Sequence, residues 1–277
     1  FMTREIRDRI IERFMQNVYG REPDIESGNS QHNGVAGHWL EDQMGIQHDA
    51  DNAPDLWGYE CKNATGSKTT FGDWNASYFI WRDEQRFPNL ADLTGENLRI
   101  RQRANKDEVF LRAFGEIRDN GRYSWSGSPS PSRTTNGFNG YGQAMSVNNN
   151  SISIIYSYSR DPRPRKAVLV PETFQIDNLL LLKWNEETIT ERVENKFGRE
   201  GWFKCLVDEQ GNYNAIMFGG PFHIDRFLQS VRNGNVIFDT GMKERRDDGT
   251  DRYRMQWRAS NVFWEELSDE RFDPPQV

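Results

Sequence analysis

The chain has 277 residues, which is enough for one large domain or two small ones with a substantial apolar core. Hydrophobic residues make up only 35% of it, but 13% aromatic residues give apolar surface that disordered chains lack, so we expect a folded protein with long polar loops. A net charge of −7 argues against a protein that coats nucleic acid by bulk attraction, and two cysteines exclude a disulfide framework.

Charge and hydropathy vary along the chain in ways that the averages hide. Basic residues gather at 99–106, 160–166 and 243–258; each run alone could be a solvated face, but together they favour a positive groove on an acidic body. No stretch approaches the ~20 apolar residues that span a bilayer. The charged start FMTREIRDRI lacks the apolar centre of a signal peptide, so we expect a cytoplasmic protein without a membrane partner.

In chain order, hydrophobic periodicity first predicts helices around a β-hairpin. Apolar residues at spacings of three and four indicate helices, and short alternating runs bounded by Gly, Ser and Thr indicate strands. The predicted elements are a helix over 2–19, a helix over 35–44, strands Leu56–Lys62 and Ser77–Trp81 joined by a turn at 64–70, and a helix over 107–118.

The second half predicts a mixed α/β arrangement after a long loop. Residues 119–150 show almost no periodicity, and their aromatic side chains favour a loop that contacts a partner. The elements predicted beyond it are strands 152–158, 167–170 and 179–184, a helix near 186–198, a strand 215–218, a helix 222–232, a strand 236–238, a charged hairpin 241–251, a strand 253–258 and a helix near 261–271.

The segment Pro54–Lys62 carries the most informative pattern, PD-x4-ExK. On a strand, Glu60 and Lys62 share one face while Cys61 points to the other, and Asp55 at the strand entrance can reach the same point. Two carboxylates and the carbonyl of Cys61 are the hard oxygen ligands that Mg²⁺ prefers. A metal there could activate water for attack on a phosphodiester, and Lys62 could stabilise the charge that develops.

This spacing alone is a weak signal, because a surface strand with a Glu/Lys pair has the same letters. Its context strengthens it, since apolar neighbours favour a strand and a predicted helix bearing Glu41 lies directly upstream.

Two segments together resemble the catalytic region of the MvaI/BcnI family of Type II restriction endonucleases, and more loosely the mismatch-repair nickase MutH. They are N-G-V-A-G-H-W-L-E-D-Q-M-G at 33–45 and P-D-L-W-G-Y-E-C-K at 54–62. The resemblance implies the PD-(D/E)xK α/β fold, with a mixed central sheet flanked by helices and a DNA-recognition lobe. We place the catalytic lobe core in 1–118, and the remaining sheet and recognition lobe in 119–277.

The resemblance also assigns roles and partners. Asp55, Glu60 and Lys62 would be catalytic, Glu41 an auxiliary acid, and Asp55, Glu60 and Cys61 the metal ligands. The cofactor would be Mg²⁺, with Mn²⁺ as a substitute and Ca²⁺ supporting binding without cleavage. The family implies a monomer that cuts double-stranded DNA at a short, GC-rich, nearly palindromic site of the CCxGG kind, with a cognate DNA methyltransferase in the same system.

Candidate DNA contacts lie in the second half. Arg252, Arg254 and Gln256 alternate on one predicted strand, and Arg with guanine and Gln with adenine are favoured major-groove pairings, although an exposed strand face would look the same. The remaining candidates are Asn139 and Tyr141, in a loop at 136–142 that resembles a family loop approaching DNA, and Arg163 and Arg165, as phosphate contacts or plain surface.

Two other functions stay open at this point. A MutH-like repair nickase would cut one strand only, and a non-catalytic DNA- or protein-binding module would carry the motif by accident. His38, His48 and His223 have no nucleophile or metal partner at a telling spacing, so we assign them to packing or surface.

Overall fold

The computed structural model describes residues 2–23, 35–47, 52–63, 66–86, 106–244 and 253–275. The chain divides into two compact units, each built from separate segments. Unit 1 comprises Phe1–Thr70, Thr190–Phe227 and Ala259–Val277, and unit 2 comprises Phe71–Ile189 and Leu228–Arg258. The predicted boundary near residue 118 groups the segments differently and stays a prediction.

Helices and strands alternate along both units in a mixed α/β arrangement. The helices are α1 (Met2–Asn17), α2 (Val35–Met44), α3 (Lys106–Phe114), α4 (Lys166–Leu169), α5 (Glu186–Phe197), α6 (Ile224–Arg232) and α7 (Asn261–Leu267). The strands are β1 (Tyr59–Asn63), β2 (Lys68–Asp73), β3 (Tyr78–Phe79), β4 (Glu116–Ile117), β5 (Tyr123–Trp125), β6 (Gln143–Asn148), β7 (Ser151–Tyr156), β8 (Leu179–Trp184), β9 (Gly201–Val207), β10 (Tyr213–Gly219), β11 (Val236–Thr240), β12 (Met242–Lys243), β13 (Met255–Ser260) and β14 (Glu270–Phe272). Of the helices within these ranges, none is long and apolar enough to cross a membrane.

Unit 1 is organised around a mixed sheet with the strand order β1-β9-β10-β14. β1 runs parallel to β9, and β10 runs antiparallel to both of its neighbours. One face of β1 joins the core formed with α1 and α2, where Tyr59 and Cys61 lie among Phe14, Leu40 and Met44. Because burying each such apolar side chain stabilises the fold by about 1.5–3 kcal/mol, this face is fixed and the other face of β1 is left for polar side chains.

Unit 2 contains the antiparallel sheet β3-β8-β7-β6 and the smaller antiparallel sheet β12-β5-β4. Its core is rich in aromatic rings: Trp184 lies 5.1 Å from both Phe238 and Trp257, in edge-to-face arrangements. Such pairs add about 0.5–1.5 kcal/mol beyond the area that they bury. Trp184 and Trp257, two of the nine tryptophans of the sequence, are thus part of this core.

The structure corrects several predicted elements. The hairpin between 56–62 and 77–81 is wrong, because β1 pairs with β9 and β3 pairs with β8. The predicted turn at 64–70 contains the start of β2, and residues 167–170, predicted as a strand, lie mostly in the short helix α4. The predicted loop 119–150 contains β5 and β6. The wrong hairpin arises because strand pairing between distant segments is not visible in local composition.

A buried acid organises the segment after β7 in unit 2. Asp161 accepts hydrogen bonds from the Tyr156 hydroxyl at 2.9 Å and from the Arg163 guanidinium at 2.7 Å. Arg163 also donates to the carbonyls of Ala113 and Gly115, at 2.7 and 3.2 Å. Burial alone would raise the pKa of Asp161, but the hydrogen bonds from Arg163 outweigh it and hold the pKa below its usual value.

We expect Asp161→Asn to lower the free energy of unfolding by about 1 kcal/mol at neutral pH, because the charged acceptor of Arg163 is lost. Since the folded state depresses this pKa, the stabilisation is present above the unfolded pKa of about 3.9 and disappears as the pH falls through the folded value. Denaturant unfolding at pH 7 and at pH 3 measures this difference. Equal destabilisation at both pH values would contradict the role of the charge.

Candidate active site

A tight turn brings Asp55 to the middle of β1. Leu56 and Tyr59 exchange both backbone hydrogen bonds at 2.9 Å, and the two residues between them, Trp57 and Gly58, have φ values of 50° and 87°. Positive φ at both central positions is the pattern of a type I′ turn. The predicted strand Leu56–Lys62 is therefore broken, and β1 begins at Tyr59.

The carboxylate of Asp55 is anchored to this strand by the backbone. Its Oδ2 accepts a hydrogen bond from the backbone N–H of Cys61 at 2.7 Å. Burial, and secondarily the charge of Glu60, raise the pKa of Asp55 to about 7. The charge of Glu60 thus acts on Asp55, as expected for two carboxylates of one motif.

Glu60 and Lys62 project together from the polar face of β1. The Lys62 Nζ donates to Glu60 Oε1 at 2.7 Å, and only 7% and 3% of the two side chains are exposed. Burial lowers the pKa of Lys62, although the charge of Glu60 opposes this shift. Cys61 points into the apolar core, where burial raises the pKa of its thiol, so its side chain is unsuited to bind a metal.

A second lysine, which the sequence does not single out, also reaches Glu60. Lys196 lies near the end of α5, and its Nζ is 3.1 Å from Glu60 Oε1. A third lysine, Lys204, lies on β9, the strand next to β1, in register with Lys62. It is only 1% exposed, and its Nζ donates a hydrogen bond to the side chain of Asn261 at 2.7 Å. Burial lowers the pKa of Lys204 to about 8.

The donor set fits a hard divalent cation. Glu60 Oε2 is buried and has no hydrogen-bond partner in the part of the chain that the structure describes, although a buried carboxylate oxygen is normally satisfied. Within those same residues, no group of three or more His, Cys, Asp or Glu side chains could hold a metal ion. With fewer than three such side chains together, an ion at this point would need the carbonyl of Cys61 and waters as ligands in addition to Asp55 and Glu60, which are oxygen donors of the kind that Mg²⁺ accepts.

The predicted auxiliary acid, Glu41, and two of the three histidines named above lie within the described residues. Glu41 lies on α2 with its Oε2 3.4 Å from Nδ1 of His38, and its charge is among those that raise the pKa of Cys61. His223 lies 2.7 Å from Glu194, and both histidine side chains are largely exposed, as predicted. His48 is outside the described residues. The auxiliary role of Glu41 stays a prediction.

The proposed base-reading strand is β13, whose residues up to Arg258 belong to unit 2. Arg254 immediately before it is exposed and Gln256 is half-buried, and both alternate with the buried Met255 and Trp257. The polar side chains at 254 and 256 thus lie on one face, as the alternation predicts. Arg252 is outside the described residues.

The remaining DNA-contact candidates have internal partners. The side chain of Asn139 donates to the Pro129 carbonyl and accepts from the backbone N–H groups of Tyr141 and Gln143. The Tyr141 hydroxyl donates to Glu116, and Arg163 is held by Asp161. These contacts support structural roles and lend no support to the predicted DNA contacts of these three residues, which stay predictions. Arg165 is exposed at the start of α4, and its predicted phosphate contact also stays a prediction.

Comparisons of the sequence with known proteins point to restriction endonucleases, and a comparison of structures identifies the fold. Residues 18–272 match the family model of the LlaMI restriction endonuclease. The chain is 39% identical over 275 residues to the Type II restriction enzyme ScrFI of Lactococcus lactis subsp. cremoris, covering 94% of this chain and 96% of that enzyme. Among solved structures, the complex of the restriction endonuclease MvaI with its cognate DNA substrate superposes with a TM-score of 0.58 at 13% identity over 97% of each chain. This structural similarity shows that the chain has the same fold as MvaI, which confirms the predicted mixed α/β fold.

Proposed function

Because the chain belongs to the LlaMI restriction endonuclease family and is an endodeoxyribonuclease, we propose that it is a Mg²⁺-dependent enzyme that cuts both strands of a short, GC-rich, nearly palindromic DNA site of the CCxGG kind. Type II restriction activity on DNA is the activity of its family and its relative. The metal, the site and the residue roles are what the proposal adds. The proposal also includes a cytoplasmic monomer and a cognate methyltransferase in the same system.

One observation carries the proposal: Asp55, Glu60 and Lys62 converge on the polar face of β1 with one Glu60 oxygen left unpartnered. Asp55 and Glu60 would hold the cation. When bound, it would polarise the phosphodiester and lower the pKa of the attacking water. Mn²⁺ could replace Mg²⁺, and Ca²⁺ would support binding without cleavage.

Contacts within the protein hold the side chains of this site in place, so they are positioned before DNA binds. Backbone anchoring fixes Asp55, so little reorganisation is needed when the cation binds. Lys62 is buried and held by Glu60, which keeps its ammonium group beside the place where the scissile phosphate would lie. A fixed positive charge there stabilises the additional negative charge of the transition state.

Run-off sequencing of plasmid DNA incubated with the enzyme and Mg²⁺ tests the proposal and identifies the target. Discrete ends at one sequence in both strands, absent in EDTA and in Ca²⁺, are the expected result. Nicked circles that are never linearised would favour a repair nickase, and intact DNA with every divalent cation would favour a binding module.

We expect Arg165→Ala to remove a phosphate contact at the surface and Arg163→Ala to remove an arginine that stabilises the fold. Loss of one phosphate contact reduces the slope of log K against log salt by about 0.9 and weakens all sequences alike. Arg165→Ala should show this change with the smaller loss of thermal stability because Arg165 is exposed, whereas Arg163→Ala should lower the melting temperature more. Equilibrium titrations at several salt concentrations and a thermal melt of each variant measure the two effects, and the reverse assignment would contradict this interpretation.

A further inference from the structure

Three charged side chains of unit 1 form a cluster in which exposure increases from the buried strand toward solvent. The exposed fraction rises from 3% for Glu60 to 7% for Lys62 and 20% for Lys196. Lys196 is therefore the more exposed of the two cations that contact Glu60.

Both ammonium groups lie on the same Glu60 oxygen. Lys62 contacts Oε1 at 2.7 Å and Lys196 contacts it at 3.1 Å, while Oε2 has no hydrogen-bond partner among the described residues. One lysine already balances the charge of Glu60. A divalent cation bound to Glu60 would be repelled by the second ammonium group, because both positive charges would lie beside the same carboxylate.

We propose that Lys196 is a phosphate-binding residue of the active site, which holds Glu60 in the metal-free enzyme and contacts a DNA phosphate once a divalent cation binds Glu60. The inference rests on the proposed function. A lysine is suited to such an exchange because it is a point charge on a flexible four-carbon stem. Its neighbour Lys204 could not make the exchange, since it is almost fully buried and held by Asn261.

The proposal predicts effects of opposite sign for Lys196→Ala. Mn²⁺ alone should bind the DNA-free enzyme roughly two- to tenfold more tightly, because a competing positive charge is gone. A short DNA duplex in saturating Ca²⁺, the cation proposed to support binding without cleavage, should bind more weakly, with a salt slope reduced by about 0.9. In EDTA, where Lys196 stays on Glu60, the variant should leave the salt slope unchanged. A general loss of structure would instead weaken both interactions.

Isothermal titration with Mn²⁺ and fluorescence anisotropy of a labelled duplex measure the two quantities. The matched control is Arg21→Ala, which removes one charge from an exposed residue of the same unit. It should change neither the Mn²⁺ affinity nor the salt slope of DNA binding. Lys196→Arg should restore the salt slope. If the alanine variant does not fold, as judged by its melt, Lys196→Gln replaces it.

Tighter Mn²⁺ binding together with a shallower salt slope in Ca²⁺ supports the proposal. An unchanged or weaker Mn²⁺ affinity overturns it, and so does an unchanged salt slope in Ca²⁺. Because neither readout is cleavage, failure of this inference is distinguishable from failure of the proposed function, which would show as a wild-type enzyme that cuts no DNA in Mg²⁺ or Mn²⁺.

Discussion

Replacing Lys62 by alanine is expected to reduce the cleavage rate of duplex DNA by about 10³-fold, since removal of one preorganised charge at a transition state has effects of this order. Asp55→Ala should have at least the same effect, because it removes a proposed metal ligand that the backbone of Cys61 holds in place. Binding of the specific duplex in Ca²⁺ should change little for Lys62→Ala. Single-turnover cleavage and anisotropy titrations measure the two quantities.

A matched control separates this result from a general loss of charge. Lys183 lies on β8 in unit 2, and Lys183→Ala removes the same charge from a strand without a proposed role in cleavage. It should cut at the rate of the unchanged enzyme. Full cleavage by Lys62→Ala or Asp55→Ala would remove both residues from the mechanism.

Arg254→Ala is expected to relax the choice of target rather than to slow hydrolysis. A bidentate arginine–guanine contact contributes about 1–3 kcal/mol of discrimination against the wrong base pair. The exposure of Arg254, on the same face as Gln256, makes this contact available. The variant should therefore cut duplexes with one altered guanine position almost as fast as the specific duplex.

Cleavage rates for a set of duplexes with single base-pair changes test this prediction. Arg165→Ala is the appropriate comparison, because loss of a phosphate contact should slow all duplexes alike. If Arg254→Ala leaves the penalty for every single change as it was, base reading by this strand is excluded, and the loop at 136–142 becomes the leading candidate.

Local periodicity predicted the parts of the site that lie close together in the sequence. The alternation of a strand placed Glu60 and Lys62 on one face and Cys61 on the other, as the structure confirms. It did not predict Lys196, which is 136 positions beyond Glu60 and reaches it only through the fold of unit 1. Long-range strand pairing decides such contacts, and it has no local sequence signal.

The turn before β1 and the surroundings of the arginines show a second limit of prediction from the sequence. A tryptophan with positive φ is rare, so Trp57 reads as a strand residue although it occupies a turn. Likewise, Arg163 and Arg165 look alike in the sequence, but one is held by a buried acid and the other is exposed. Composition predicts that a charge is present, whereas its partners depend on the tertiary structure.

The two units contribute different side chains to the proposed activity. Asp55, Glu60, Lys62 and Lys196 all belong to unit 1, whereas Arg254 and Gln256 belong to unit 2. Substitutions on the polar face of β13 can therefore accumulate without disturbing the buried core around β1 or the ion pairs of Glu60. Under selection for new target sequences, such an enzyme can change its DNA recognition while its proposed catalytic residues stay the same. A few amino-acid substitutions on one strand face would be the first step of that divergence.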